Sequence, residues 1–289
     1  MVRNSRDHYR PVLQLRHFAD AEGLLWVYDR SGTAPAFRQI APNVGFEKGL
    51  YSILEPPDID AGAVEKWLAE HIDGPAAAAL DKAAVDQSLT RAERSVLAAF
   101  VGAQDLRTPR AKERVLSLYR AGFAKVWDEW RSKPKELAAA IARDSGTIYS
   151  AAEILDMLGE YQYEVTPNAW LDFFGSMLNR VGRRLYHMRW LRAYAPEDLA
   201  FLTSDVGIVK CHRRPDAFMS WDMGFNGGRD TWIFPLKPEV ALVIAPPGGP
   251  GLSGPCKPEW LRAVNRHIWD DAYRWVFSCK VVPDGGPAV

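Results

Sequence analysis

The residues best suited to chemistry sit towards the two ends of this 289-residue chain. His8 lies beside Tyr9 and just before Pro11, and Asp205 closes the run Phe201-Leu202-Thr203-Ser204-Asp205. A histidine in a loop beside a sheet can act as a base, a metal ligand or a phosphate contact. An aspartate at a strand bend can hold a metal or polarise a histidine. Between them, Gln104 falls on the apolar stripe of a helix, and Arg107 follows one turn later. A buried amide or guanidinium needs partners, because each unmatched group costs ~1–3 kcal/mol. A ligand could supply them, and a guanidinium fork suits phosphate or carboxylate. Each residue also has a structural alternative. For His8 it is a hydrogen bond anchoring the chain terminus. For Asp205 it is a turn that bonds nearby amides. For Gln104 and Arg107 it is an internal network reaching Asp29, Glu47 or Asp205.

The elements that must position these residues follow from the patterning. Pro11 to Phe18 reads as a short helix or an extended lead-in. Leu24 to Asp29 is a strand, Ser31-Gly32 a turn, and Ala36 to Ile40 the return strand of a hairpin. Asn43 to Tyr51 reads as irregular. Helices follow: Ala61 to Ala84 with an interruption at Gly74-Pro75, then one opening on the capping box of Thr90 and Glu93. That helix carries Leu97, Phe100, Val101 and Gln104 on one stripe. Further helices are expected over Ala111 to Arg131, Pro134 to about Arg143, Ala151 to Glu160 and Trp170 to Tyr194.

Beyond Pro196 the pattern turns to strands: Phe201 to Lys210, Phe218 to Asp222, Thr231 to Phe234 and Val240 to Ile244, with a hairpin turn at Asn226-Gly227-Gly228. Pro246 to Pro255 is a loop. Lys257 to Ser278 closes the chain as an amphipathic helix. Strands, then helices, then strands and a helix predict an α+β fold. A lone hairpin is barely stable. The N-terminal one is therefore expected to join the later strands in a mostly antiparallel sheet with a large helical insertion. That makes residues 1–289 one domain: a hairpin region over 1–55, a helical region over 56–195, and strands with a closing helix over 196–289.

Composition bounds the function. Lys plus Arg and Asp plus Glu are 36 each, which argues against a surface coated in basic charge for nucleic acid but leaves room for a local basic groove. Cys211, Cys256 and Cys279 lack zinc-ligand spacing and read as thiols of a reducing compartment. No apolar run approaches the ~18–20 residues of a membrane span. Met1 to Arg6 lead into no apolar stretch of a signal peptide. A soluble, cytoplasmic protein without a membrane partner is the expectation. Arg180, Arg183, Arg184, Arg189 and Arg192 make one expected helix basic, and His187 breaks their row, so a solvated face is favoured over a nucleic-acid contact. Most of the eleven tryptophans fall at core spacing, so packing is preferred to a stacking surface. There is no Gly-rich phosphate loop, dinucleotide fingerprint, nucleophile elbow or zinc-protease helix.

The motifs taken in order resemble a known family. They are His8-Tyr9-x-Pro11, Leu15-Arg16-x-Phe18, Trp26-Val27-Tyr28-Asp29 and Asn43-Val44-x-x-Glu47-x-x-x-Tyr51. Further on come Phe100-x-x-x-Gln104-x-x-Arg107-Thr108-Pro109, Phe201-Leu202-Thr203-Ser204-Asp205 and Phe234-Pro235-Leu236. Together they are similar to the domain-of-unknown-function 4238 family across nearly the whole chain, and the helix holding Asn265 resembles its closing helix. One departure stands out. The family pattern continues Asn-Pro after the Ser-Asp pair, whereas this chain has Val206-Gly207. The resemblance implies a bacterial protein, with some members found in antiphage defence settings, and implies no reaction.

Two functions from different classes follow. The first is a nuclease or other phosphoryl-transfer hydrolase in a defence or toxin context. In it Asp205 and Glu47 hold a divalent metal, His8 is the base and Arg107 steadies the phosphate. Gln104, Arg16, Ser204 and Asn265 are the further substrate contacts, and nucleic acid or a nucleotide is the partner. The second is a non-catalytic ligand-binding or sensor protein using the same polar residues.

Overall fold

A computed structural model describes residues 6–51, 62–160, 163–214, 217–220, 230–247 and 253–282. The elements run β1 (Arg6–His8), α1 (Val12–Leu15), β2 (Leu24–Asp29), β3 (Phe37–Ile40), β4 (Phe46–Lys48), α2 (Ala63–Leu68), α3 (Gly74–Ala84) and α4 (Arg91–Leu106). There follow α5 (Pro109–Ser132), α6 (Pro134–Ser145), α7 (Ala151–Glu160) and α8 (Asn168–His187). The strands β5 (Arg189–Tyr194), β6 (Thr203–Ser204), β7 (Val209–Arg214), β8 (Ala217–Ser220), β9 (Asp230–Lys237), β10 (Val240–Ala245) and β11 (Gly254–Pro255) come next, then α9 (Pro258–Asp271) and β12 (Trp275–Ser278). The fold is α+β with mostly antiparallel pairing, as expected. The chain divides into two compact units, residues 1–111 with 174–289, and residues 112–173.

All the strands among the described residues lie in the larger unit. The N-terminal hairpin does meet the far end of the chain: β3-β2-β12-β6 form a four-stranded sheet, with Leu24 opposite Ile40 and Tyr28 opposite Val276. The remaining late strands do not join it. They build a six-stranded sheet of order β11-β5-β10-β9-β7-β8, and β1 pairs separately with β4. One sheet was expected, and three are present among the described residues. The expected turn at Asn226-Gly227-Gly228 lies outside the described residues.

Two expected helices end early, each because a strand partner claims the next residues. The pattern over Trp170 to Tyr194 predicts one helix, yet α8 stops at His187 and β5 begins at Arg189. All six residues of β5 pair with β10, and the Trp190 indole N–H donates to the Leu185 carbonyl at 2.8 Å across the junction. The five arginines therefore divide between α8 and β5. Arg192 is spent on the Ala83 carbonyl, the Gln87 carbonyl and Asp86. Likewise Lys257 to Ser278 divides into α9 and β12. The expected strand Phe201 to Lys210 also breaks, into β6 and β7, around a bend at Asp205 and a left-handed Gly207 with φ of 73°.

Local signals fared better. Thr90 caps α4 reciprocally with Glu93, at 3.2 Å from the Glu93 N–H and 2.8 Å from its own N–H to the Glu93 carboxylate. The stripe Leu97, Phe100, Val101 and Gln104 is fully buried. A π-helical turn, Ala69–Asp73, links α2 to α3 where Pro75 supplies no N–H, and it places Asp73 at its end. Two clusters of buried residues in this unit pack against its sheets. Leu15, Phe18, Leu25, Val27 and Phe277 pack around the four-stranded sheet. Phe201, Ile233, Ala241, Leu261, Val264 and Val276 pack where α9 meets strands of both larger sheets. In the smaller unit, α6 and α7 pack through Ala138, Ile154 and Leu158, with Trp127 against them.

Candidate functional site

Asp205 lies at the bend after β6 and is buried to 1% exposure. Its Oδ1 accepts the Tyr273 N–H at 2.8 Å, and its Oδ2 accepts those of Arg274 and Trp275 at 2.6 and 2.7 Å. These three amides form the corner between α9 and β12. The carboxylate thus holds the turn by which the chain leaves α9 and enters β12. Burial raises its pKa while the three N–H bonds pull the other way. Every one of these close contacts is a donor, so the geometry serves the ionised form. Ser204 closes the same bend, its Oγ accepting from the N–H groups of Val206 and Gly207 at 3.3 and 3.4 Å. Asn265 on α9 bonds the strand lead-in, accepting from the Leu202 N–H at 2.9 Å and donating to the Ala200 carbonyl at 2.8 Å.

The centre of the junction is Arg10, which is fully buried. Its Nη1 donates to Gln104 Oε1 at 3.1 Å, and its Nη2 donates to Gln14 Oε1 and to Thr203 Oγ1. Gln14 in turn donates to the Pro235 carbonyl at 3.0 Å, and Gln104 to the Phe100 carbonyl at 3.2 Å. One guanidinium therefore ties the N-terminus to α4, β6 and β9. Two left-handed glycines clear its space. A Cβ on Gly45 would lie 2.7 Å from Arg10 Cβ, and one on Gly207 would lie 1.7 Å from Arg10 Nη1. Proline cannot adopt the φ of 73° found at Gly207. The room left by the missing side chain of Gly207 holds the Arg10 guanidinium. Burial lowers the Arg10 pKa, with the charge of Arg107 adding to the effect and that of Asp205 opposing it.

Arg107, also fully buried, forms a forked contact through Nη1 with both oxygens of Asp73, at 3.0 and 3.1 Å. Its Nε and Nη2, and Nε of Arg10, face no acceptor. The neighbouring Tyr51 hydroxyl contacts the carbonyls of His8 and Arg107, at 3.3 and 3.2 Å. His8 sits at the rim. Its Nε2 faces the Pro42 carbonyl at 3.2 Å and its Nδ1 faces Glu65 Oε1 at 3.5 Å, and Glu65 also accepts the His8 backbone N–H at 3.1 Å. With an acceptor opposite each ring nitrogen, the imidazolium is the form that satisfies both. The hydrogen bond to Glu65 accordingly raises the His8 pKa, against the opposing effects of burial and of Arg107.

The expected cluster is thus only partly assembled. His8, Gln104, Arg107, Asp205 and Ser204 belong to one connected junction, and Asn265 lies beyond it on α9. Glu47 and Arg16 are exposed. Among the described residues no three His, Cys, Asp or Glu side chains are grouped to hold a metal ion. The internal partners of Gln104 and Arg107 are Arg10 and Asp73, not Asp29, Glu47 or Asp205. Arg10, Gln14, Glu65, Asp73 and Thr203 were not singled out from the sequence. The i, i+4 spacing of Arg10 and Gln14 beside buried Tyr9 and Leu15 was the signal that could have found two of them.

No curated protein and no solved structure matches the chain. A family model described as protein of unknown function (DUF4238) matches residues 6–281, and the chain belongs to that family.

Proposed function

We propose that the protein is a ligand-binding or sensing protein that takes an anionic group at the junction, reached past half-buried His8 and held by the buried Arg107. The observation that carries this reading is the pair of buried Arg107 N–H donors without an acceptor. Leaving each of them unmatched costs ~1–3 kcal/mol, and a phosphate or carboxylate oxygen removes that cost. His8, half-buried beside them and favoured as a cation by Glu65, adds attraction. Asp205, Ser204, Gln104 and Asn265 hold the frame.

A phosphoryl-transfer reading, in a bacterial defence or toxin setting, draws on the same residues. What favours it is the His8 imidazolium held by Glu65, which would protonate a leaving group by giving up its contact with the Pro42 carbonyl. It needs metal ligands other than Asp205, whose two oxygens are already engaged by backbone amides.

The test is thermal unfolding and isothermal titration of the wild type and Arg107→Lys with inorganic phosphate, sulfate and acetate, alongside incubation with RNA and DNA in magnesium. Lysine can keep the pair with Asp73 but not the further N–H groups. Stabilisation of the wild type by an anion, weakened at least tenfold in Arg107→Lys, supports the reading. If no anion stabilises the wild type, the N–H groups are simply hydrated and the reading fails. Cleavage of nucleic acid that His8→Gln abolishes would replace it with the phosphoryl-transfer reading.

A further inference from the structure

A second place in the larger unit has the make-up of a binding site and is independent of the junction. Helices α4 and α8 approach closely through small residues. A Cβ on Gly182 would lie 3.2 Å from Ala99 Cα, and one on Gly102 would lie 3.0 Å from Val181 Cγ1. Beside that contact is an open cleft of about 600 Å³. It is lined by the small or apolar Ala99, Leu178 and Gly182 and by the polar Arg91, Ser95, Asn179, Arg183, Tyr186 and His187.

The polar part of the lining is one-sided in charge. It holds two arginines and a histidine, and no carboxylate. Glu93, the nearest acid in sequence to Arg91, is engaged by Lys82 and by the Thr90 cap. Tyr186 is held in place. Arg94 lies 5.6 Å from its ring and donates to its carbonyl at 3.0 Å, and the His187 ring meets it edge-on at 5.0 Å. Apolar Leu178 and Ala99, a held aromatic ring and two guanidinium groups suit a flat ring joined to a phosphate. The volume lies within the ~300–1,000 Å³ of small-molecule sites. A nucleic-acid strand, by contrast, calls for an extended basic track.

We infer that the α4–α8 cleft binds a nucleoside phosphate, with Arg91 and Arg183 on the phosphate and the base lying over Leu178 and Ala99 beside Tyr186. The site shares no residue with the His8–Arg107 junction, so either reading can fail alone.

The experiment is titration of the full chain with adenosine and guanosine 5′-monophosphates, inorganic phosphate and a single-stranded oligonucleotide, followed by calorimetry. The proteins are the wild type, Arg91→Gln/Arg183→Gln, Ser95→Trp and Arg180→Gln, each checked for an unchanged unfolding midpoint. A mononucleotide should bind more tightly than inorganic phosphate. The double variant should weaken it at least tenfold, Ser95→Trp should block it by filling the cleft, and Arg180→Gln, outside the lining, should leave it unchanged. The inference is overturned by no saturation at millimolar mononucleotide. It is also overturned if Arg180→Gln weakens binding as much as the double variant, which would mark a diffuse basic face. Binding of the oligonucleotide alone would overturn it in favour of a nucleic-acid contact.

Discussion

Replacing Asp205 by alanine should unfold the corner between α9 and β12 before anything else. The carboxylate accepts three backbone N–H groups, at 2.6, 2.7 and 2.8 Å, in a residue only 1% exposed. Truncation leaves the three donors without their acceptor. At ~1–3 kcal/mol for each buried unmatched donor, less what entering water recovers, the loss comes to about 3–6 kcal/mol. A change of that size takes up much of the ~5–15 kcal/mol that holds a typical domain folded. It should lower the unfolding midpoint by on the order of 10 °C. Asp205→Asn should fall between, because one oxygen can still accept from Arg274 and Trp275 while the new NH₂ opposes the Tyr273 N–H. The assay is urea unfolding joined to amide hydrogen exchange, which reads the corner directly. The amides of Arg274 and Trp275 should lose protection by more than the global stability change alone explains. If Asp205→Ala costs less than about 1 kcal/mol, or those two amides keep their wild-type protection, the carboxylate does not staple the corner.

Other outcomes follow from the same geometry. Gly207→Ala should destabilise by about 2–4 kcal/mol, since a Cβ would meet the pinned Arg10 guanidinium and φ is positive. Pairing it with Arg10→Ala in a double-mutant cycle should show strongly non-additive costs, and additivity would sink the clash. Asn265→Leu should cost roughly 2–4 kcal/mol by orphaning the Leu202 N–H and the Ala200 carbonyl, as read by chemical denaturation. His8 has a raised folded-state pKa, so its contribution with Glu65 is complete below the ordinary ~6.5 and is lost as pH rises through the raised value. His8→Gln should flatten that part of the stability–pH curve, and an unchanged slope would show that the pair contributes nothing.

Sequence alone settled what is decided within a few turns of chain. The Thr90–Glu93 cap, the β2–β3 hairpin and the extent of α7 rest on contacts between near neighbours, and the stripe through Leu97, Phe100, Val101 and Gln104 on the helical period. The family is also readable there, from motifs in order along the chain. Tertiary structure decided where α8 and α9 end. The residues of β5 and β12 continue a plausible helical pattern, and only ladders to β10 and β2, together with the Asp205 carboxylate, make them strands. It also decided the role of the polar residues. Arg10 finds Gln104 at 94 residues' separation and Thr203 at 193. Such separations leave no periodic trace, because a side chain's partner depends on which elements pack, not on spacing. Gln104, read from its stripe as needing a partner, did need one, and the chain supplied it from its own N-terminus.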